Sequence, residues 1–164
     1  MGLQLPGELR SLLSMLGYTW PEADEMKLME MGNAWLGFAA KQSGPLGDLD
    51  AHAGRVWQVN KGADIDAFRT TWTADDSAKS SLQDFTTAAN IIGAGLMVCG
   101  GIVLALKINV IVQLVILAIQ IAQAIATAPV TFGASLAEIP IFKEIAGAVI
   151  DILIDMALQA ILNG

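Results

Sequence analysis

Apolar residues recur at helical spacing along almost the whole chain, and nowhere do they alternate two by two between hairpin-turn signals as strands would. The spacing predicts a short helix over residues 6–16, with Pro6 at its start and Gly17 as its C-terminal cap. Thr19 and Glu22 stand at capping-box spacing, which predicts a second helix from there to about Lys41. Leu28, Met31, Trp35, Phe38 and Ala39 fall on one face of it. Residues 42–47, Gln-Ser-Gly-Pro-Leu-Gly, have the composition of a loop. A third helix is expected from about Asp48 to Thr73. Leu49, Ala53, Val56 and Trp57, then Ile65, Phe68 and Trp72, lie on its inner face, and Gly62 is a place where it dents or breaks. Two helices with matching stripes on either side of a Gly-Pro loop make an antiparallel hairpin.

Asp75-Asp76-Ser77 then signals a new helix start. Beyond it the pattern changes. No charge occurs over residues 88–106, a run punctuated by Gly93, Gly95, Gly100 and Gly101, and the Gly100-Gly101 pair is the expected kink or turn. No charge occurs over residues 108–137 either, yet this stretch is patterned. Asn109, Gln113, Gln120, Gln123 and Thr127 lie within about 80° of one another on a helical wheel, an amide stripe along an otherwise aliphatic helix. After Pro129 and Pro140 a last helix places Glu144, Asp151, Asp155 and Gln159 on one narrow face. The expected architecture is all-α: a helical bundle with an antiparallel hairpin followed by long hydrophobic helices, in a single domain over residues 1–164.

Charge sharpens the contrast between the two halves. Residues 1–84 hold seven Lys/Arg and twelve Asp/Glu, whereas residues 85–164 hold only Lys107, Glu138, Lys143, Glu144, Asp151 and Asp155. The chain therefore reads as an amphipathic part, 1–84, and a hydrophobic part, 85–164. Only 15% of residues are charged, against ~25% in a typical soluble domain, and mean hydropathy is +0.57. A net charge of −7 excludes a nucleic-acid binder with the usual basic footprint, and adsorption to anionic lipid through a basic face. Either uncharged run is long enough to cross a bilayer. The polar stripes, and the lack of any Trp or Tyr after Trp72, temper that reading. A compact bundle with a very apolar core and a membrane-competent hairpin both remain open, and a chain that is soluble first and inserts later satisfies both.

Catalytic chemistry finds no foothold. His52 is the only histidine and lacks a Gly-x-Ser-x-Gly or Cys-centred companion, so it is expected on an exposed helix face. Cys99 reads as a small core residue and can form no internal disulfide, and zinc is implausible with one Cys and one His. Asp151 and Asp155 read as part of a solvated acidic stripe. The glycine-rich run lacks a phosphate-loop pattern. A non-enzymatic module with no cofactor and no metal is expected. Residues 1–17 have no basic segment followed by an apolar run, so no cleavable secretory signal is expected.

Several stretches carry a family likeness. Trp35-Leu36-Gly37 is a literal W-x-G, and Trp57 through Gly62-Ala63, with Ala67-Phe68 and Trp72, resembles the Trp…Gly-Ala…Ala-Phe…Trp signature of the WXG helical-hairpin proteins, substrates of type VII (ESX) secretion. Residues 5–8, 16–25 and 104–114 extend the likeness to the WXG-like N-terminal domain of actinobacterial polymorphic toxins, similar to the N-terminal region of mycobacterial secreted channel-and-toxin proteins. The resemblance implies a hairpin motif of Trp35, Gly37, Trp57, Gly62, Phe68 and Trp72, with either Trp-Gly pair at the turn. It also implies recognition by the export machinery, binding of a small helical WXG-like partner, and a secreted or cell-envelope location. The group's Tyr-x-x-x-Asp/Glu export signal is absent as written, and Trp72 with Asp76 has its spacing, Trp replacing Tyr. The expected function is thus a delivery domain for a secreted bacterial toxin or effector. The alternatives are a membrane-inserting or pore-forming domain, in which the amide stripe lines a conduit, and a self-assembling homo-oligomer.

Overall fold

The computed structural model describes residues 2–163; Met1 and Gly164, the two ends of the expected 1–164 domain, lie outside the described residues. The helices are α1 (Gly7–Met15), α2 (Glu25–Val59), α3 (Ala63–Thr73), α4 (Ala78–Thr127) and α5 (Ile139–Asn163), with a 3-10 turn over Ala134–Glu138 before the last. Among the described residues there is no strand, and the architecture is all-α as the spacing predicts. By packing, the chain divides into two units. A hairpin unit comprises Leu28–Val98, and a core unit comprises the residues up to Lys27 and from Cys99 onward. The compositional break near Phe85 falls inside α4 and inside the hairpin unit.

Three sequence expectations about breaks are corrected. Residues 42–47 form no loop: α2 runs through Pro45 to Val59. The Ser43 hydroxyl bonds back to the Ala40 carbonyl at 2.8 Å. Pro45, Leu46 and Leu49 gather with Phe38, Leu82 and Phe85 around an apolar cavity of about 130 Å³. Side-chain packing along the hairpin overrides the local Gly and Pro preferences. Gly100-Gly101 makes no turn, because α4 continues to Thr127; two helical glycines cost only about 2 kcal/mol relative to alanine, little for a helix of 50 residues. The capping box at Thr19–Glu22 does not start a helix. The N-cap is Asp24, whose carboxylate accepts the Lys27 N–H at 3.2 Å, and this bond holds the Asp24 carboxyl below the usual range. The segment before α2, residues 18–24, is outside any helix, and Trp20 ties it to the N-terminal segment, its indole N–H donating to the Leu3 carbonyl at 3.2 Å.

In the core unit the N-terminal segment is a strap. Leu5 and Leu13 are buried with Val110, Leu114 and Ile150, and Leu9, Leu12, Leu16, Tyr18 and Trp20 pack around them with Leu106, Ile111 and Ile154. Gly17, at φ +89°, closes α1 with a Schellman pattern in which the Tyr18 N–H reaches the Leu13 carbonyl at 3.2 Å. The Tyr18 hydroxyl then donates to Asp151 at 2.7 Å and lies 3.1 Å from the Gly147 carbonyl. That bond, with burial and the aspartate's charge, pushes the phenol up.

Polar chemistry in this unit centres on one pair. Lys107, a lone charge in the sequence, is wholly buried and donates to Glu25, equally buried, at 2.8 Å. It also donates to the Ala23 carbonyl at 2.6 Å and lies 5.7 Å from the Trp20 ring centre. Glu25 in turn accepts the Leu3 N–H. Burial alone would push the Glu25 carboxyl up. The hydrogen bonds from Lys107 and Leu3, with the lysine's charge, outweigh it and hold the carboxyl below its ordinary value.

Removing one partner strands the other in the interior. Glu25→Gln or Lys107→Met is therefore expected to cost about 3–5 kcal/mol in denaturant unfolding, while the double variant recovers much of it. Because the folded-state pKa of Glu25 is lowered, the pair's contribution is complete above the ordinary glutamate pKa of about 4.3 and is lost as pH falls through the folded-state value. A pH titration followed by circular dichroism checks this: the wild-type chain should lose stability more steeply in that acid range than the double variant.

Candidate functional site

The hairpin unit is built by matching positions in reverse order. Going back along α2 while going forward along the chain, Trp57 meets Phe68 with ring centres 5.8 Å apart. Asp50 accepts the Trp72 indole N–H at 3.0 Å and pairs with Lys79 at 2.7 Å. Phe38 meets Phe85 edge-on at 5.6 Å, and Gly32 meets Gly93. The arms of the antiparallel hairpin are therefore α2 on one side and α3 followed by α4 on the other. Its tip is at residues 60–62, not at 42–47. Gly62 takes φ +145° there, a backbone that other residues rarely adopt, and its carbonyl accepts the Asp66 N–H to start α3. The second arm breaks once more before Ser77, whose hydroxyl caps α4 by accepting the Ser80 N–H at 3.1 Å.

What lets the arms approach is small side chains. Ala39, Ala53 and Ala89 are buried, and the glycines mark the tightest point. A methyl group on Gly93 would stand 2.8 Å from Leu36 Cγ and 3.0 Å from the Gly32 carbonyl oxygen. Larger side chains are displaced to the edges. Met31, Leu49 and Phe68, expected on the inner face, are exposed, as are Leu82 and Phe85. Met31, Ala34, Trp35 and Phe38 line an open apolar depression on α2, with Trp35 edge-on to Phe38 at 6.4 Å.

The amide stripe lies in the core unit. Asn109, Gln123 and Thr127 are exposed, and Gln113 and Gln120 are half-buried. Asn109 and Thr127 bond back to the helix at Ala105 and Gln123, both at 2.9 Å. The stripe is a flank, not the only wet surface that a compact bundle would leave. Val110, Leu114, Leu117 and Ala124 form the buried side of α4, whereas Ile108, Val112, Val115 and Ile119 stand on the opposite side with 41–52% of their surface in solvent. Glu144, Asp151, Asp155 and Gln159 of α5 are exposed, as a solvated stripe would be. Both α4 and α5 are long and apolar enough to cross a membrane, and 22% and 11% of their most apolar stretches is buried.

Compared with known protein families, the chain matches the WXG100 like domain over residues 5–161. It belongs to the WXG100-like family. No curated protein and no solved structure matches it. The family is one of helical proteins related to type VII secretion, and the match spans both units.

Within this WXG100-like domain, Trp57 and Gly62 bracket the hairpin tip, and Phe68 and Trp72 continue an aromatic ladder from Trp57, their ring centres 6.0 Å apart. Trp35 and Gly37 lie in the middle of α2, and Gly37 is exposed with open space where a side chain would go. Trp72 and Asp76 do not share a helix, since α3 ends at Thr73; Trp72 is half-buried on Asp50, and Asp76 is exposed in the turn. His52 is exposed, as expected, and Cys99 is half-buried. Sequence reasoning missed the clamp formed by Asp50, Trp72 and Lys79. Those bonds hold the Asp50 carboxyl below the usual range, the Lys79 bond foremost. Nothing in local spacing ties residues so far apart.

The glycine crossing makes a paired test. Gly93→Ala is expected to destabilise the hairpin by about 1–3 kcal/mol through overpacking. Gly95→Ala, with nothing within 4 Å of the added methyl, should stabilise it by up to about 1 kcal/mol through helix propensity. Urea unfolding of the two variants reads both.

Proposed function

We propose that this WXG100-like domain is the delivery module of a secreted bacterial toxin or effector. In this reading a type VII-like export system recognises it, and the hairpin unit binds a small helical partner. The observation that carries the reading is the hairpin itself: two long arms zipped by alanines and glycines, an aromatic ladder ending at the Trp57–Gly62 tip, and an apolar depression on the outside of α2. Small residues between the arms leave Met31 and Trp35 with apolar surface facing outward, beside Phe38, which also meets Phe85 across the hairpin. A partner helix with apolar residues at i, i+3, i+4 and i+7 would fill that surface. The role is one of recognition and transport, with no chemical step for the residues to perform.

Trp72 and Asp76 are proposed as the export signal at the α3–α4 junction. The indole holds the arms in place through Asp50, while the nearby aspartate is open to a receptor.

Two measurements test this reading. In a host with a functional type VII system the chain should appear outside the cell, and should stay inside when that system's motor ATPase is deleted. Asp76→Ala should cut export at least tenfold without lowering the melting temperature, whereas Trp72→Ala should lower both. For the partner, Met31→Asp should weaken binding to the small helical protein of the same secretion locus at least tenfold with the fold intact, because Met31 is already half in solvent. Export independent of the motor ATPase would overturn the reading.

A further inference from the structure

The outer side of α4 in the core unit has a regular pattern that the export reading does not use. Ile108, Val112, Val115, Ile119, Ala122 and Ala126 are all exposed, and they are spaced four, three, four, three and four residues apart. That is the heptad alternation of a coiled-coil seam, sustained over about 28 Å of helix. Lying opposite the buried side, it is a second apolar seam with nothing from its own unit on it. We propose that this seam is a self-association surface on which a second copy of the chain docks, making the molecule a homo-oligomer held by α4 helices.

Three features favour a second copy over other occupants. A seam that selects a different helical protein normally carries charges on its flanks as a pairing code. Here residues 108–137 contain no charge at all, so two identical seams meet without repulsion although each chain carries −7. The flank is instead the amide stripe. Gln123 lies beside the seam, where amides of facing helices can bond to one another at lower cost than in hydrocarbon, while Asn109 is already satisfied by the Ala105 carbonyl of its own helix. Lipid is disfavoured further by the polypeptide that follows. A hairpin of α4 and α5 driven into a bilayer from its connecting end would carry Glu138, Lys143 and Glu144 with it. β-Branched residues at four successive seam positions favour three or more strands over two, so a trimer or tetramer is the expected product.

The test is the mass of the whole chain in detergent-free buffer, by light scattering and sedimentation over a hundredfold range of concentration. An oligomer is expected. Val115→Asp with Ile119→Asp should reduce it to a monomer of unchanged helicity. Ile152→Asp, a control at an equally exposed apolar position on α5, should leave the mass unaltered. Should the aspartate pair impair folding, Val115→Ser with Ile119→Ser should raise the dissociation constant at least tenfold. A wild-type chain that stays monomeric throughout overturns the proposal. So does an oligomer insensitive to both seam variants, or one lost equally in Ile152→Asp. Binding of the monomeric wild type to neutral phosphatidylcholine vesicles, abolished by the seam variants, would assign the surface to lipid and overturn it too. The proposal is independent of export: a chain secreted normally can fail this test, and a chain that passes it can fail to be secreted.

Discussion

A positive charge sits at the centre of the most apolar part of this molecule, and the core unit is arranged around its neutralisation. Lys107 is the only charged residue between Asp84 and Glu138. Packed against leucines without a partner it would cost several kilocalories per mole, and the helix would be driven to turn it outward. Instead Glu25, the first residue of α2, meets it, the Ala23 carbonyl accepts a second of its protons, and Trp20 offers a ring face. Glu25 takes up the Leu3 N–H in the same stroke, and Trp20 the Leu3 carbonyl. One ion pair thereby determines the path of the whole N-terminal segment. The strap's leucines supply the apolar burial, but leucines on a smooth aliphatic helix could settle in several registers. A charge with three directional contacts settles in one.

The hairpin unit follows the opposite principle. Its arms are held by what is missing from them: glycines and alanines where backbones cross, with aromatic side chains moved to the margins. Such an interface is narrow. It leaves large apolar residues, Met31 and Phe85 among them, half in solvent. Polar anchoring comes late in the sequence and at the edge, where Asp50 gathers Trp72 and Lys79. These exposed bonds contribute little energy individually, but they tie the α3 segment to α2 across the break before α4.

Helix content and helix type were legible in the sequence because apolar periodicity is a local signal, and the start after Ser77 carries its own cap. The position of the hairpin tip was not. Residues 42–47 hold every local mark of a loop, Ser, Gly, Pro and Gly, whereas Val59-Asn60-Lys61-Gly62 holds one glycine. Tertiary packing reversed that ranking. Leu46 and Leu49 gain neighbours on α4 only if α2 continues, and Gly62 alone supplies the positive φ that the reversal needs. Lys107 was visible as an isolated charge, and isolation was the informative part: a single cation in so long a neutral run implies a carboxylate from elsewhere. Which carboxylate depends on chain reversal over more than eighty residues, and no local pattern encodes that.

The amide stripe shows the limit of a wheel diagram most clearly. Five polar residues on one flank of α4 suggest that this flank is the wet one and the remainder is buried. In the folded chain the helix has four distinct sides: one under the strap, one of amides, one aliphatic flank, and one apolar seam facing outward opposite the strap. Periodicity of apolar residues reports that a side is destined for a contact, and it cannot distinguish a contact within the chain from one beyond it. Here both sides carry apolar residues at helical spacing, yet within the core unit only one of them is buried. The stripe that separates them is uncharged for a reason common to both. Charged side chains there would reach over either seam and demand solvent, whereas amides can lie at the border of an apolar contact and be satisfied by a neighbouring helix or by water.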